Sequence, residues 1–138
     1  MHNEIAELIN SKLPEAKATV TNPEAGDNSI VVEAQSIKAV CKLLNENKEY
    51  SFNSLQVISG VDYTDHIEVN YFLNNLDIEA PRQLQLKTKL EDRINPTLDS
   101  VTDIWKAADW QERECFDMLG VTFTGHPDPR RILCPDDW

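Results

Sequence analysis

The side chains able to do chemistry in this 138-residue chain crowd into its last third. Glu112, Arg113, Glu114, Cys115 and Asp117 follow one another closely, then His126, Asp128 and the pair Arg130 and Arg131. Three chemistries compete for them. His126 with Asp117 and Asp128 could be drawn as a metal site, but Glu112 and Glu114, two positions apart on a helix, point apart and cannot both ligate. Cys115 and His126 have the types of a thiol nucleophile and its base, yet a half-buried helical cysteine ordinarily serves as a small apolar filler. Arg130 and Arg131 could hold an anionic substrate. A loop stiffened by Pro127 and Pro129 offers planar guanidiniums equally well to a partner's carboxylate or carbonyl. The residue types alone leave anion binding and partner contact open for the arginines, and no catalytic, cofactor-binding or metal-ligating residue is expected.

Other site types fail on spacing. Cys41, Cys115 and Cys134 are odd in number and far apart, which excludes a disulfide framework and a zinc or iron–sulfur site built by this chain alone. Gly120 and Gly125 have the wrong spacing for a phosphate-cradling loop and lack the strand–glycine–helix order. Asp62, Asp65 and Glu68 do not form the ordered acidic run of a calcium loop. The formal net charge is −11, spread as −5 over residues 1–90 and −6 over 91–138. An excess that acidic repels phosphate backbones and anionic lipid heads, so nucleic-acid binding is not expected. No apolar stretch approaches the roughly 18–20 residues that span a bilayer. Glu4 and Glu7 near the start, with no basic run, fit neither a secretory signal nor a transit peptide. Free thiols point to a reducing compartment.

The elements that must position these residues are legible in the spacing. Asn3 is a candidate cap for a helix with Ile5, Leu8, Ile9 and Leu13 on one face, ended by Pro14. Short strands are predicted at 18–20 and 29–34. Ser36 then opens a helix whose Ile37, Val40, Cys41 and Leu44 share a face. Leu55, Val57, Val61 and Tyr63 alternate, with Gly60 as a candidate bulge. After a turn at 62–66, Ile67, Val69, Tyr71 and Leu73 alternate again, and Leu84, Leu86, Thr88 and Leu90 make a further strand. The sum is an α+β fold in two layers: a mostly antiparallel sheet of about five strands with helices on one face, plus an extended C-terminal docking helix and loop. One domain over 1–138 is expected, its α+β core in 1–99 and its signature helix and interface loop in 100–138.

The last part reads differently. Trp105, Trp110 and Trp138, all the tryptophans, lie in it. Ser100-Val101-Thr102-Asp103 is a capping-box pattern opening a short turn at Ile104 and Trp105. Residues 107–119 can be helical, closed by Gly120, with Arg113 and Asp117 as i,i+4 partners. This helix has no clean apolar stripe, because charges interrupt every face that Trp110, Phe116, Met118 and Leu119 would form. Mixed charges among large apolar groups suit a helix packed between other surfaces.

Here the sequence resembles a known family. Glu112-Arg113-Glu114, Asp117-Met118-Leu119-Gly120, Gly125-His126-Pro127-Asp128 and Arg130-Arg131-Ile132-Leu133 stand in the order of the signature of the 30 kDa-type subunit of NADH-quinone oxidoreductase, respiratory complex I. Ser100 to Trp105, the closing Pro135-Asp136-Asp137-Trp138 and the strands at 67–73 and 84–87 are similar too. Pro129 stands where the family pattern usually has Leu, and the pattern commonly continues past Trp138 with a basic and aromatic tail. The resemblance implies a non-catalytic scaffold in the peripheral arm of a proton-pumping complex, on the cytoplasmic side of a bacterial inner membrane, with membrane association only through the complex. Its implied partners are the large quinone-site subunit and neighbouring iron–sulfur subunits. FMN, iron–sulfur clusters, NADH and quinone would belong to the complex, and none would be bound by this chain. Trp110, Glu112, Arg113, Glu114, Phe116, Asp117, Gly120, Gly125, His126, Asp128, Arg130 and Arg131 are the expected signature or interface residues. The alternatives are the equivalent subunit of a related membrane-bound hydrogenase or other quinone- or ferredoxin-linked dehydrogenase and, more distantly, a stand-alone thiol hydrolase using Cys115 and His126.

Overall fold

The first helix, α1 (His2–Lys12), has Glu4 in its first turn and Lys12 in its last, each matched to the helix dipole. Its buried face is Ile5, Ala6 and Ile9. The helix begins at His2, so Asn3 lies inside it and is not its cap. These and the following features come from a computed structural model that describes residues 2–21, 28–63, 65–76, 82–92 and 94–126. Pro14 cannot continue α1; it starts a single 3₁₀ turn instead, after which Lys17 takes a left-handed conformation (φ 49°). The Asn10 amide then clamps Ala18 from both sides, accepting its N–H at 2.8 Å and donating to its carbonyl at 3.0 Å. Strand pairing therefore starts one residue later than the sequence suggests.

The main sheet has strands β1 (Thr19–Thr21), β2 (Ser29–Val31), β3 (Ser54–Asp62), β4 (Ile67–Asn75) and β5 (Arg82–Leu90), in the order β1-β2-β5-β4-β3. Every neighbouring pair is antiparallel except β2–β5. That parallel pairing follows from the crossover made by α2 (Ile37–Glu46) and the β3–β4 hairpin. β2 is shorter than the predicted 29–34, because the backbone turns into a 3₁₀ helix at Ala34–Ser36. Helix α2 buries Ile37, Val40, Cys41 and Leu44 as its spacing requires, but Ser36 makes no side-chain cap.

Alternation is faithful in β4 and β5, where Ile67, Val69, Tyr71 and Leu73 face Leu84, Leu86, Thr88 and Leu90 across the core side. In β3 it is not. The bulge sits between Leu55 and Val57, not at Gly60, and it shifts the phase of the strand. Leu55 and Ile58 are therefore the buried pair, while Val61 and Tyr63 are left exposed. One buried cluster joins the inward residues of the sheet to Ile5 and Ile9 of α1, Val40 and Leu44 of α2, and Ala108 and Cys115 further on. The opposite face of the sheet is polar: Lys87 pairs with Glu68 at 3.4 Å, and Gln85 donates to Asn70 at 3.1 Å. Hydrophobic alternation could not reveal β6 (Thr97–Asp99) and β7 (Thr122–Thr124), a parallel pair too short to show a period. They flank the third helix, α3 (Ala108–Leu119), along the chain.

Candidate docking site

Helix α3 starts without a side-chain cap, with Asp109 in its first turn, and ends at Gly120 as its sequence predicts. Gly120 sits at φ 75°, a conformation that costs other residues, and its N–H closes on the Phe116 carbonyl at 2.8 Å. The missing apolar stripe now has an explanation. The buried positions are Ala108, Glu112 and Cys115, spaced as one helical face with a carboxylate at its centre.

Glu112 is fully buried. Its Oε2 accepts the Val101 N–H at 2.7 Å, and that same Val101 offers its carbonyl to the N–H groups of Ile104 and Trp105. Glu112 thus caps, from a distant helix, the turn that the Ser100–Asp103 pattern only begins. Ser100 accepts the Thr102 N–H at 3.2 Å inside this turn. Trp105 is anchored beneath it, its indole N–H donating to the Phe52 carbonyl at 3.1 Å. Burial raises the Glu112 pKa above the ordinary carboxylate value; the Val101 and Ser100 hydrogen bonds and the nearby His126 act the other way.

The second knot in this region is Asp109, which sequence reasoning did not single out. Arg113 Nε reaches back one turn to Asp109 Oδ1 at 3.2 Å, and His126 Nε2 lies 3.2 Å from the same oxygen. His126 Nε2 also donates to the Asp109 carbonyl at 3.0 Å. The acid lies four residues before the arginine, the favourable order on a helix, so the i,i+4 rule offered Asp109 as readily as Asp117. The histidine contact had no local signal: it exists because the backbone turns at Gly125 (φ 86°) and brings His126 back over the start of α3. Arg113 in turn lies over the Trp110 ring, 5.5 Å from its centroid. Phe116 leans towards Thr122 and Phe123 on the same flank, around a cavity of about 30 Å³.

The remaining expected residues divide simply. Trp110 is 53% exposed, Glu114 and Asp117 are partly exposed, and Gly120 is exposed. Asp128, Arg130 and Arg131 lie outside the described residues, as do Pro129 and the closing Pro135 to Trp138. No group of three or more His, Cys, Asp or Glu side chains able to hold a metal occurs among the described residues. Cys115 is buried, and its thiol is pushed up to about 12, first by burial and then by the charges of Glu112 and Glu114. A nucleophilic cysteine needs the opposite shift.

The described geometry is that of an α+β fold whose C-terminal helix is anchored by a buried carboxylate and presents an aromatic, partly charged face outward. Residues 30–138 match the family described as the respiratory-chain NADH dehydrogenase, 30 Kd subunit. The chain belongs to that family. It is 36% identical over 139 residues to an NADH-quinone oxidoreductase subunit of Chloroherpeton thalassium, covering 99% of this chain and 57% of that protein. With the equivalent NADH-quinone oxidoreductase subunit of Moorella thermoacetica it shares 39% identity over 110 residues, 80% of this chain and 72% of the other. Among solved structures, a chain of the membrane-bound sulfane sulfur reductase, an archaeal respiratory membrane complex, superposes with a TM-score of 0.76 at 27% identity, covering 98% of this chain and 77% of that one. The chain thus spans little more than half the length of the Chloroherpeton protein. Among the described residues, no helix is long and apolar enough to cross a membrane.

Proposed function

We propose that this chain is a scaffold subunit in the peripheral arm of an NADH-quinone oxidoreductase, holding neighbouring subunits in register while electrons pass from NADH to quinone elsewhere. The observation that carries the proposal is the family match over residues 30–138, which includes the whole of α3 and its flanking strands. The geometry supports a contact role: Glu112 and Asp109 spend their polar groups on holding the backbone, Arg113 and His126, not on an open cleft. The outward face with Trp110, Arg113 and Asp117 is the proposed contact surface, together with Arg130 and Arg131 from the segment that follows His126. Trp and Arg are the residue types that dominate interface energetics. In this reading the chain has no active site of its own. FMN and the iron–sulfur clusters reside in other subunits, and its partners are the quinone-site subunit and adjacent iron–sulfur subunits. It sits peripherally, on the cytoplasmic side of the membrane, through those partners.

A second reading is favoured by the likeness to the sulfane sulfur reductase chain: the same scaffold serving a membrane-bound complex with a different electron donor or acceptor. One experiment separates the two. The chain is tagged in its host, membranes are solubilised gently, and co-purifying proteins are identified. NADH-driven quinone reduction in the purified material supports the first reading. A complex that carries another donor or acceptor module and lacks that activity supports the second. Purification of the chain alone refutes both. Arg131→Ala should lower the yield of complex without altering the domain's own unfolding, and full assembly of that variant removes Arg131 from the contact surface.

A further inference from the structure

Helix α3 has a second flank, opposite Phe116 and His126 by helical spacing, and there it leaves a groove of about 390 Å³ against β3. It is lined by Ile58 and Gly60 of β3 and by Gln111, Glu114, Met118 and Leu119 of α3. At one end of the groove the Leu119 side chain packs closely over Gly60. A Cβ built there would run into the Leu119 Cδ1 and force that side chain to another rotamer, while the Cys115 Sγ at 3.5 Å is in ordinary contact.

β3 is an edge strand, and an edge strand ordinarily invites another strand. This edge is blunted twice. The register slips at the bulge between Leu55 and Val57, and the Ile58 N–H donates to Gln111 Oε1 at 3.4 Å. What the groove can read is therefore side chains, not a backbone ladder. Met118, 68% exposed, offers an adaptable apolar contact beside the partly buried Leu119. Among the described residues, Glu114 is the one charged side chain lining the groove, on a chain of net charge −11.

We propose that this groove seats a segment of a neighbouring subunit that carries an apolar side chain next to a Lys or Arg. The apolar group covers Met118 and Leu119, and the cation meets Glu114. The proposal rests on reading the chain as part of a larger assembly, and it adds a contact surface separate from the Trp110–Arg113 face. Charge complementarity selects the occupant: a second copy of this chain would bring the same acidic excess to an acidic rim.

The test uses the assembled complex. Met118 is replaced in the host by the photoreactive p-benzoylphenylalanine, the purified complex is irradiated, and the adduct is sequenced by mass spectrometry. An adduct to a peptide of another subunit with Lys or Arg within a few residues is the expected result. Glu114→Gln in the same background should lower the adduct yield about two- to fivefold, as for a rim ion pair. An adduct to a peptide without a nearby cation, an adduct between two copies of this chain, or no effect of Glu114→Gln overturns the proposal. So does an intact complex that gives no adduct. Failure of the unmodified chain to co-purify with any complex refutes the subunit reading itself, so the two failures are distinguishable.

Discussion

Glu112 is the residue whose removal should be felt furthest, and the size of the effect can be worked from its contacts. Its Oε2 accepts the Val101 N–H at 2.7 Å in a fully buried setting. Glu112→Ala removes that acceptor and leaves the Val101 N–H buried and unpaired, a loss of about 1–3 kcal/mol. A further contribution comes from the space left inside α3's packing face. Glu112→Gln keeps a carbonyl-type oxygen for Val101 and gives up only the charge, whose burial was itself costly. The alanine variant should therefore be about 2–3 kcal/mol less stable than the glutamine variant, and the glutamine variant within about 1 kcal/mol of the parent. Urea unfolding followed by tryptophan fluorescence measures both, since Trp105 sits on the turn that Glu112 caps.

The pH dependence adds a sign. Burial raises the folded-state pKa of Glu112, so between the unfolded and folded values the folded chain binds more proton than the unfolded one. The stability Glu112 contributes is thus fully present below the unfolded carboxylate range and is lost as pH rises through the raised folded value. The parent should lose stability relative to Glu112→Gln as pH rises through that window. A parent-minus-Gln difference that is flat, or that grows with pH, would show that the hydrogen bonds outweigh burial. Alanine and glutamine variants equal within about 0.5 kcal/mol would refute the capping role altogether.

Three further outcomes are expected. Gly60→Ala should destabilise the chain by about 1 kcal/mol, the rotamer cost of moving Leu119 Cδ1 aside, and Leu119→Ala added to it should recover part of the loss in a double-mutant cycle; strict additivity would refute the contact. Tyr71→Phe should be neutral or up to about 1 kcal/mol stabilising, because the Tyr71 hydroxyl is buried and has no hydrogen-bond partner among the described residues; a clear loss in urea unfolding would mean that it has one. Cys115, buried with its thiol pushed up to about 12, should resist iodoacetamide at neutral pH in the folded chain and react only with unfolding; rapid labelling of the Cys115 peptide would reopen the nucleophile reading.

Several local rules held, though the caps expected at Asn3 and Ser36 did not form. The face of α2, the alternation of β4 and β5, and the close of α3 at Gly120 each depend on neighbours within a few positions, and each is as its spacing predicts. The family signature was legible for the same reason, as residue types in order along the chain. The features that shape the site depend on contacts across the fold. A bulge beside Gln56 reversed the phase of β3 and handed Gly60 to Leu119, and nothing in that strand's alternation marks the extra residue. Glu112 was legible as a signature residue, but its burial followed only from the turn at Val101 folded beneath it. Asp109 became central only when Gly125 turned His126 back onto it. Sequence alone determined the longer elements and the family, because hydrophobic period and motif order are written locally. Tertiary structure decided which charges are buried and which face is left open, because desolvation is a property of what packs against a residue, not of the residue itself.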